Sequence, residues 1–127
     1  MILKGNFIWA PALDQLEARE HAWLVTEGEK IIGLYDQLPP EYAGQPVTDW
    51  GESIIIPGFN DMHIHAPQFP NRGIGYDVRL LEWLETYTFP LEARYRDIEF
   101  AEQVWKRFLN RLWATGTLRF SAFATIH

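Results

Sequence analysis

Over residues 1–51 the apolar positions come in short runs between closely spaced turn residues, a pattern of strands rather than helices. Residues 2–9 predict one strand. Residues 22–26 and 30–35 predict a hairpin, with Glu27-Gly28-Glu29 supplying the turn glycine. Pro39-Pro40 and residues 44–46 mark a loop, and residues 47–50 a short fourth strand. Strands this short make a small open sheet that needs something packed on it.

At Ser53 the pattern changes. Ile54-Ile55-Ile56 is a β-branched run without polar alternation, as expected of a strand buried on both faces of a parallel sheet. Residues 80–87 predict a short helix that Phe89-Pro90 ends, because the residue before a proline avoids the helical region. A longer helix follows over residues 98–114, with apolar pairs at Phe100/Ala101, Val104/Trp105, Phe108/Leu109 and Leu112/Trp113. That i, i+4 stripe is the strongest periodic signal in the chain. Asp97 is placed to cap the helix and Gly116 to close it. Residues 117–127 predict a second strand, with Leu118, Phe120, Ala122, Ala124 and Ile126 on one face. Strand, helices and strand make a βαβ unit with parallel pairing. The expected class is therefore α/β, with a small β-domain over residues 1–52 and a βαβ segment over residues 53–127.

Composition narrows the range of functions. The 127 residues carry 17 acidic against 11 basic side chains, a formal charge of −6, which argues against a basic nucleic-acid binder. With 47% hydrophobic and 22% charged residues the chain should fold around a core. No cysteine is present, so disulfides, thiolate metal sites and cysteine nucleophiles are all excluded. The N-terminus lacks the pattern of a secretory signal, and the longest apolar run, residues 53–59, is broken by Pro57 and Gly58. It falls short of the roughly 20 residues of a membrane helix. The expectation is a cytoplasmic protein that does not span a membrane. The 15% aromatic content is more than one open βαβ layer can bury.

Chemistry concentrates in Asp61-Met62-His63-Ile64-His65. Side chains at i and i+2 of a strand point to one face, so His63 and His65 present two imidazoles side by side and can share a metal ion. The end of a strand is also where α/β folds place their active sites. Two core-edge histidines satisfied by backbone carbonyls are the structural alternative, and desolvating both together makes it less attractive. Asp61 fits either a partner that orients a ligand imidazole or a turn residue bonded to backbone amides. His127 is read as a frayed chain end, and His21 has no functional reading.

A strand ending in Pro57-Gly58-Phe59-Asn60-Asp61-Met62-His63-Ile64-His65 resembles the first barrel strand of the metal-dependent amidohydrolase superfamily. Within it, His65-Ala66-Pro67-Gln68-Phe69-Pro70, Gly75-Tyr76-Asp77, Leu80-Leu81-Glu82-Trp83-Leu84, Tyr87-Thr88-Phe89-Pro90, Glu92-Ala93-Arg94 and Phe123-Ala124-Thr125-Ile126-His127 resemble consecutive blocks of the guanine deaminase family. The likeness is close from Ser53 onward and loose before it, and Leu118 stands where that family would lead one to expect threonine.

The resemblance implies the first part of a (β/α)₈ barrel, incomplete here because a whole barrel takes about 250 residues. The upstream strands would belong to a composite β-sandwich. It implies zinc-dependent hydrolysis of guanine to xanthine and ammonia by the complete enzyme, a dimer, with zinc lowering the pKa of a water to about 7. His63 and His65 match metal ligands, and His65 and Gln68 match residues lining the purine pocket. Catalytic residues proper are expected outside this chain, and the segment alone is expected to be inactive. Two other readings stand beside this one. One is an amidohydrolase acting on another aminated heterocycle. The other is a non-catalytic module whose strand edge at residues 117–127 and apolar helix stripe bind a partner chain or self-associate.

Overall fold

The structure is a computed structural model describing all residues, Met1–His127, and it divides into two compact units, Met1–Pro57 and Gly58–His127. The first is a four-stranded sheet in the order β3-β2-β1-β4, built from β1 (Ile2–Ala12), β2 (Gln15–Glu27), β3 (Lys30–Tyr35) and β4 (Val47–Ile55). β1 pairs antiparallel with β2 and parallel with β4, and β2 pairs antiparallel with β3. The expected hairpin turn is present, with Gly28 at φ 57°.

Strands β1 and β2 run further than the apolar pattern indicates. They continue to a tip at Leu13-Asp14, where Leu13 lies fully in solvent and Leu16 is largely exposed. Two bulges accommodate the residues that would otherwise break the ladder. One carries Pro11, between the Trp9 and Ala12 pairings, where a missing N–H costs nothing. The other carries His21, at the left-handed φ of 49°, whose backbone N–H donates to the Asn6 side-chain oxygen at 3.0 Å.

The isoleucine run is placed differently from the expectation. Ile54 and Ile55 pair in parallel with Asn6 and Phe7 of β1 and so close the sheet of the first unit, and they do not lead into the histidine strand. Nor is the run buried on both faces: Ile54 is 63% and Ile56 50% exposed. A wide bulge around Gly51, at φ 55°, interrupts β4 and hides its continuity from sequence inspection. Pro57 then stops the strand, so the units divide there rather than at residue 52. One face of the sheet holds an apolar cavity of about 360 Å³ walled by Phe7, Trp9, Leu24, Ile31, Leu34 and Ile55.

The second unit pairs β5 (Phe59–His65) in parallel with β6 (Thr117–Phe123). Between them lie a 3₁₀ segment (Ala66–Asn71), a helical stretch from Leu80 to Arg96, and the helix Ile98–Ala114, here α3. Asp97 caps α3 by accepting from the backbone N–H of Glu99 at 3.0 Å and of Phe100 at 3.4 Å. Gly116, at φ 78°, turns the chain into β6. Only the Val104, Phe108 and Leu112 positions of the stripe are buried, and Trp113 stands 75% exposed. Phe108 and Leu112 meet Ala66, with Ile64, Phe69, Trp105 and Ala122 packed around them.

The stretch before α3 departs from the expected stop at Phe89-Pro90. Helix α1 (Leu80–Trp83) runs into a π-turn over Leu84–Thr88 and then α2 (Phe89–Ala93), with Phe89 itself helical at φ −63°, ψ −42°. The wider turn bonds the Phe89 N–H to the Leu84 carbonyl, and Pro90 enters as the second residue of a new helix, where no N–H is required of it. β6 is also shorter than expected, ending at Phe123 instead of His127. No helix is long and apolar enough to cross a membrane.

Candidate metal and ligand site

Strand geometry brings the two histidines together as their spacing requires. Ile64 turns to the opposite side and packs on the Ala66, Phe108 and Leu112 cluster, which leaves His63 and His65 on the other face of β5. Their Nε2 atoms stand 3.3 Å apart. Two nitrogens bound to one tetrahedral ion at about 2.05 Å would be separated by about 3.3 Å. The pair is thus already at the span of a shared zinc-type ion, and neutral imidazole nitrogen is a suitable donor for it. No third His, Cys, Asp or Glu joins them to complete a metal cluster within this chain.

Phe123, at the end of β6, packs against both rings. It is register partner to His65 and stacks on that imidazole at 4.8 Å with a 13° interplanar angle, and it lies 5.0 Å from His63. Sequence reasoning missed it as a site residue. The available signal was the alternation of β6, which puts Phe123 opposite the core face of Phe120 and Ala122 and therefore beside the histidines.

Gln68 follows on the 3₁₀ segment, with its amide nitrogen 3.4 Å from His65 Nδ1. That segment is fixed from below. The Tyr95 hydroxyl donates to the Pro67 carbonyl at 3.0 Å, and the buried Asn71 amide donates to the Thr88 hydroxyl at 3.2 Å. Burial, with the Glu92 carboxylate adding to it, pushes the Tyr95 pKa up to about 12.

Asp61 takes the turn role of its two readings. Its Oδ1 accepts from the His63 backbone N–H at 3.1 Å, where Met62 and His63 of β5 face the single Ser121 of β6 between the Asp61 and Ile64 pairings. The carboxylate supports that bulge and makes no hydrogen bond to an imidazole. His127 is not brought into the pair: Arg96 Nε donates to its Nδ1 at 3.3 Å, and its own backbone N–H reaches the Thr125 hydroxyl. Of the aromatic candidates, Phe69 packs on Phe108 beneath Arg72, Trp83 donates its indole N–H to the Ile74 carbonyl at 2.8 Å, and Tyr76 is 88% exposed.

No protein-family model matches the chain. Individual proteins do. A probable guanine deaminase of Schizosaccharomyces pombe is 40% identical over 99% of this chain and 26% of its own length. The guanine deaminase of Homo sapiens is 36% identical over 99% of this chain and 30% of its own. The crystal structure of guanine deaminase from C. acetobutylicum, with guanine bound in its active site, superposes at a TM-score of 0.94 with 40% identity, over 99% of this chain and 30% of that one. The chain corresponds to the N-terminal portion of guanine deaminases. It spans between a quarter and a third of the length of these relatives. The histidine pair of this chain has the spacing and donor chemistry to hold part of a metal site.

Proposed function

We propose that this chain is the N-terminal part of an enzyme that hydrolyses guanine to xanthine and ammonia, with zinc held in part by His63 and His65. The observation that carries the reading is the 3.3 Å separation of the two Nε2 atoms, in a chain whose fold follows a guanine-bound deaminase from end to end. Bound zinc supplies Lewis acidity that makes water nucleophilic at neutral pH. The chain's own contribution is to hold that ion and to shape one wall of the purine pocket. His63 and His65 present their Nε2 atoms from one strand face, and Phe123 backs both rings. Gln68 and His65 line the substrate side, where an amide offers a purine edge both a donor and an acceptor.

Catalytic zinc takes three protein ligands and an open position. In this reading the further ligands and the proton donor for the departing amine come from the part of the relatives that this chain does not span. The second unit is then the opening βαβ element of a (β/α)₈ barrel. The first unit is part of a composite β-sandwich, which the apolar cavity over Phe7 and Ile55 supports. A cytoplasmic dimer using guanine and water completes the proposal.

The test is direct. The full-length polypeptide carrying this segment should bind about one zinc per chain and convert guanine to xanthine with release of ammonia, and His63→Ala should abolish both. Turnover of a different aminated heterocycle with guanine untouched would overturn the substrate assignment.

A further inference from the structure

We infer that the groove between the end of the 3₁₀ segment and the C-terminal half of α3 binds a phosphate group, either free phosphate or the head of a small phosphate ester. Arg72 lines it from the segment side and Arg107, Asn110 and Arg111 from the helix, with Phe69 and Ala114 as apolar wall. The cavity measures about 630 Å³, a size that admits a small molecule. It lies on the α3 side of β5, where Phe69 packs on Phe108, whereas the histidine pair is on the other face of that strand. Three guanidinium groups thus share one groove in a chain with 17 acidic against 11 basic side chains, and no carboxylate lines it.

Helix stability does not explain these arginines. Arg107 and Arg111 stand at i and i+4, so their like charges oppose each other across one turn. The neighbouring positions that could relieve them hold Gln103, Val104, Phe108, Asn110, Ala114 and Thr115, none of them acidic. Lys106 on the same helix does have its partner, Glu102, at 3.4 Å, and none of the chain's ion pairs includes Arg72, Arg107 or Arg111. The helix macrodipole favours a cation in the last turn and so accounts for Arg111, but not for Arg107 a turn earlier or for Arg72 on another element. That same dipole opposes an anion, so the site needs more than one guanidinium. Arg72 is already fixed for the role. Its Nε donates to the Phe69 carbonyl at 2.9 Å and its guanidinium lies 3.7 Å from the centre of the Phe69 ring, which sets its plane and leaves both amino groups without a partner in the chain. A fixed planar fork pairs with two oxygens of a phosphate, and the remaining oxygens are left for Arg107, Arg111 and the Asn110 amide. A carboxylate, with two oxygens and a single charge, would satisfy only part of this set.

The experiment uses the full-length polypeptide in phosphate-free buffer, titrated calorimetrically with inorganic phosphate and with uridine monophosphate, and with acetate and uridine as controls. Both phosphates should bind, and both controls should bind far more weakly or not at all. Tighter binding of the nucleotide assigns the groove to a phosphate ester, and equal binding assigns it to free phosphate. Arg107→Gln and Arg111→Gln should each weaken phosphate binding about tenfold, the loss of one charge-assisted contact. Lys106→Gln, which removes the same charge from the same helix outside the groove, should leave it unchanged. Without phosphate Arg107→Gln should melt at or above the wild-type temperature, because the like-charge pair is gone, and it should lose most of the rise in Tm that phosphate gives the wild type. Absence of binding by the wild type would overturn the site. Equal weakening by Lys106→Gln would overturn it too, since net charge alone would then account for the affinity. A clearly lower Tm of Arg107→Gln without phosphate would assign the arginine to an ion pair with another part of the full-length chain and would likewise overturn it.

Discussion

Tyr95 and Pro67 are joined by a 3.0 Å hydrogen bond across 28 residues of chain, and both are buried. The bond ties the helical stretch before α3 to the segment that presents Gln68. Tyr95→Phe keeps the ring and removes the side-chain donor to that carbonyl, the loss of one buried hydrogen bond, at a cost of about 0.5–1.5 kcal/mol. The pH dependence is a second readout. The folded-state pKa of about 12 lies above the ordinary phenol value of 10.0, so the unfolded chain loses this proton first. The stabilising contribution of the neutral phenol is complete below pH 10 and declines as pH rises toward 12. Urea denaturation should show this alkaline decline in the wild type and a shallower one in Tyr95→Phe, and identical slopes would mean that Tyr95 is not the group responsible.

The N-terminus of α3 rests on Asp97, whose Oδ1 accepts from two backbone N–H groups. Asp97→Ala should destabilise by about 1 kcal/mol, and Asp97→Ser, which keeps an acceptor, by much less. Equal losses in the two variants, followed by thermal or chemical denaturation, would show that the capping bonds contribute nothing net.

Much of the second unit could be read from local pattern alone. The α3 stripe, its Asp97 cap, the Gly116 turn and the pairing of His63 with His65 each depend on residues a few positions apart, where strand or helix period decides orientation. What was misread depended on distant partners. In residues 15–20 of β2 the short Leu16/Ala18 alternation marks no buried face, since all but Arg19 are exposed, and pairing with β1 is what orders them. The isoleucine run reads as a strand in either unit, and only its pairing with Asn6 and Phe7 decides which. Pro90 is tolerated because a π-turn re-routes the hydrogen bonds before it, which no single-residue preference reports. The alternation of β6 gives Phe123 its face, and the register against β5 sets it opposite His65.

Gly75 has two independent reasons to be glycine. Its φ is 73°, and a Cβ there would come within 2.7 Å of both Trp83 Cδ1 and Tyr87 Cε2. Trp83 is itself held by its indole bond to the Ile74 carbonyl, so it cannot retreat without breaking that bond. Gly75→Ala should therefore exceed the 1–2 kcal/mol of a left-handed residue alone. Trp83 fluorescence would report the displacement. A variant as stable as wild type, with unchanged emission, would mean that the loop shifts freely around residue 75.

Phe123 tests whether β5 alone orients the histidines. Its ring is 55% exposed, so Phe123→Ala should cost less than the about 3–5 kcal/mol typical of a buried phenylalanine. Its effect should fall instead on the rings it touches. His65 lies almost flat on Phe123, and His63 leans on the same side chain, so truncation frees both imidazoles to rotate away from the 3.3 Å separation a shared ion requires. In the full-length polypeptide, Phe123→Ala should weaken zinc binding by about tenfold, within the range seen when a support of a ligand imidazole is removed. Phe123→Tyr, which keeps the flat ring, should bind zinc as the wild type does. Affinity unchanged in both would assign the ligand orientation to the strand backbone and its Asp61-supported bulge, and would make Phe123 a packing residue only.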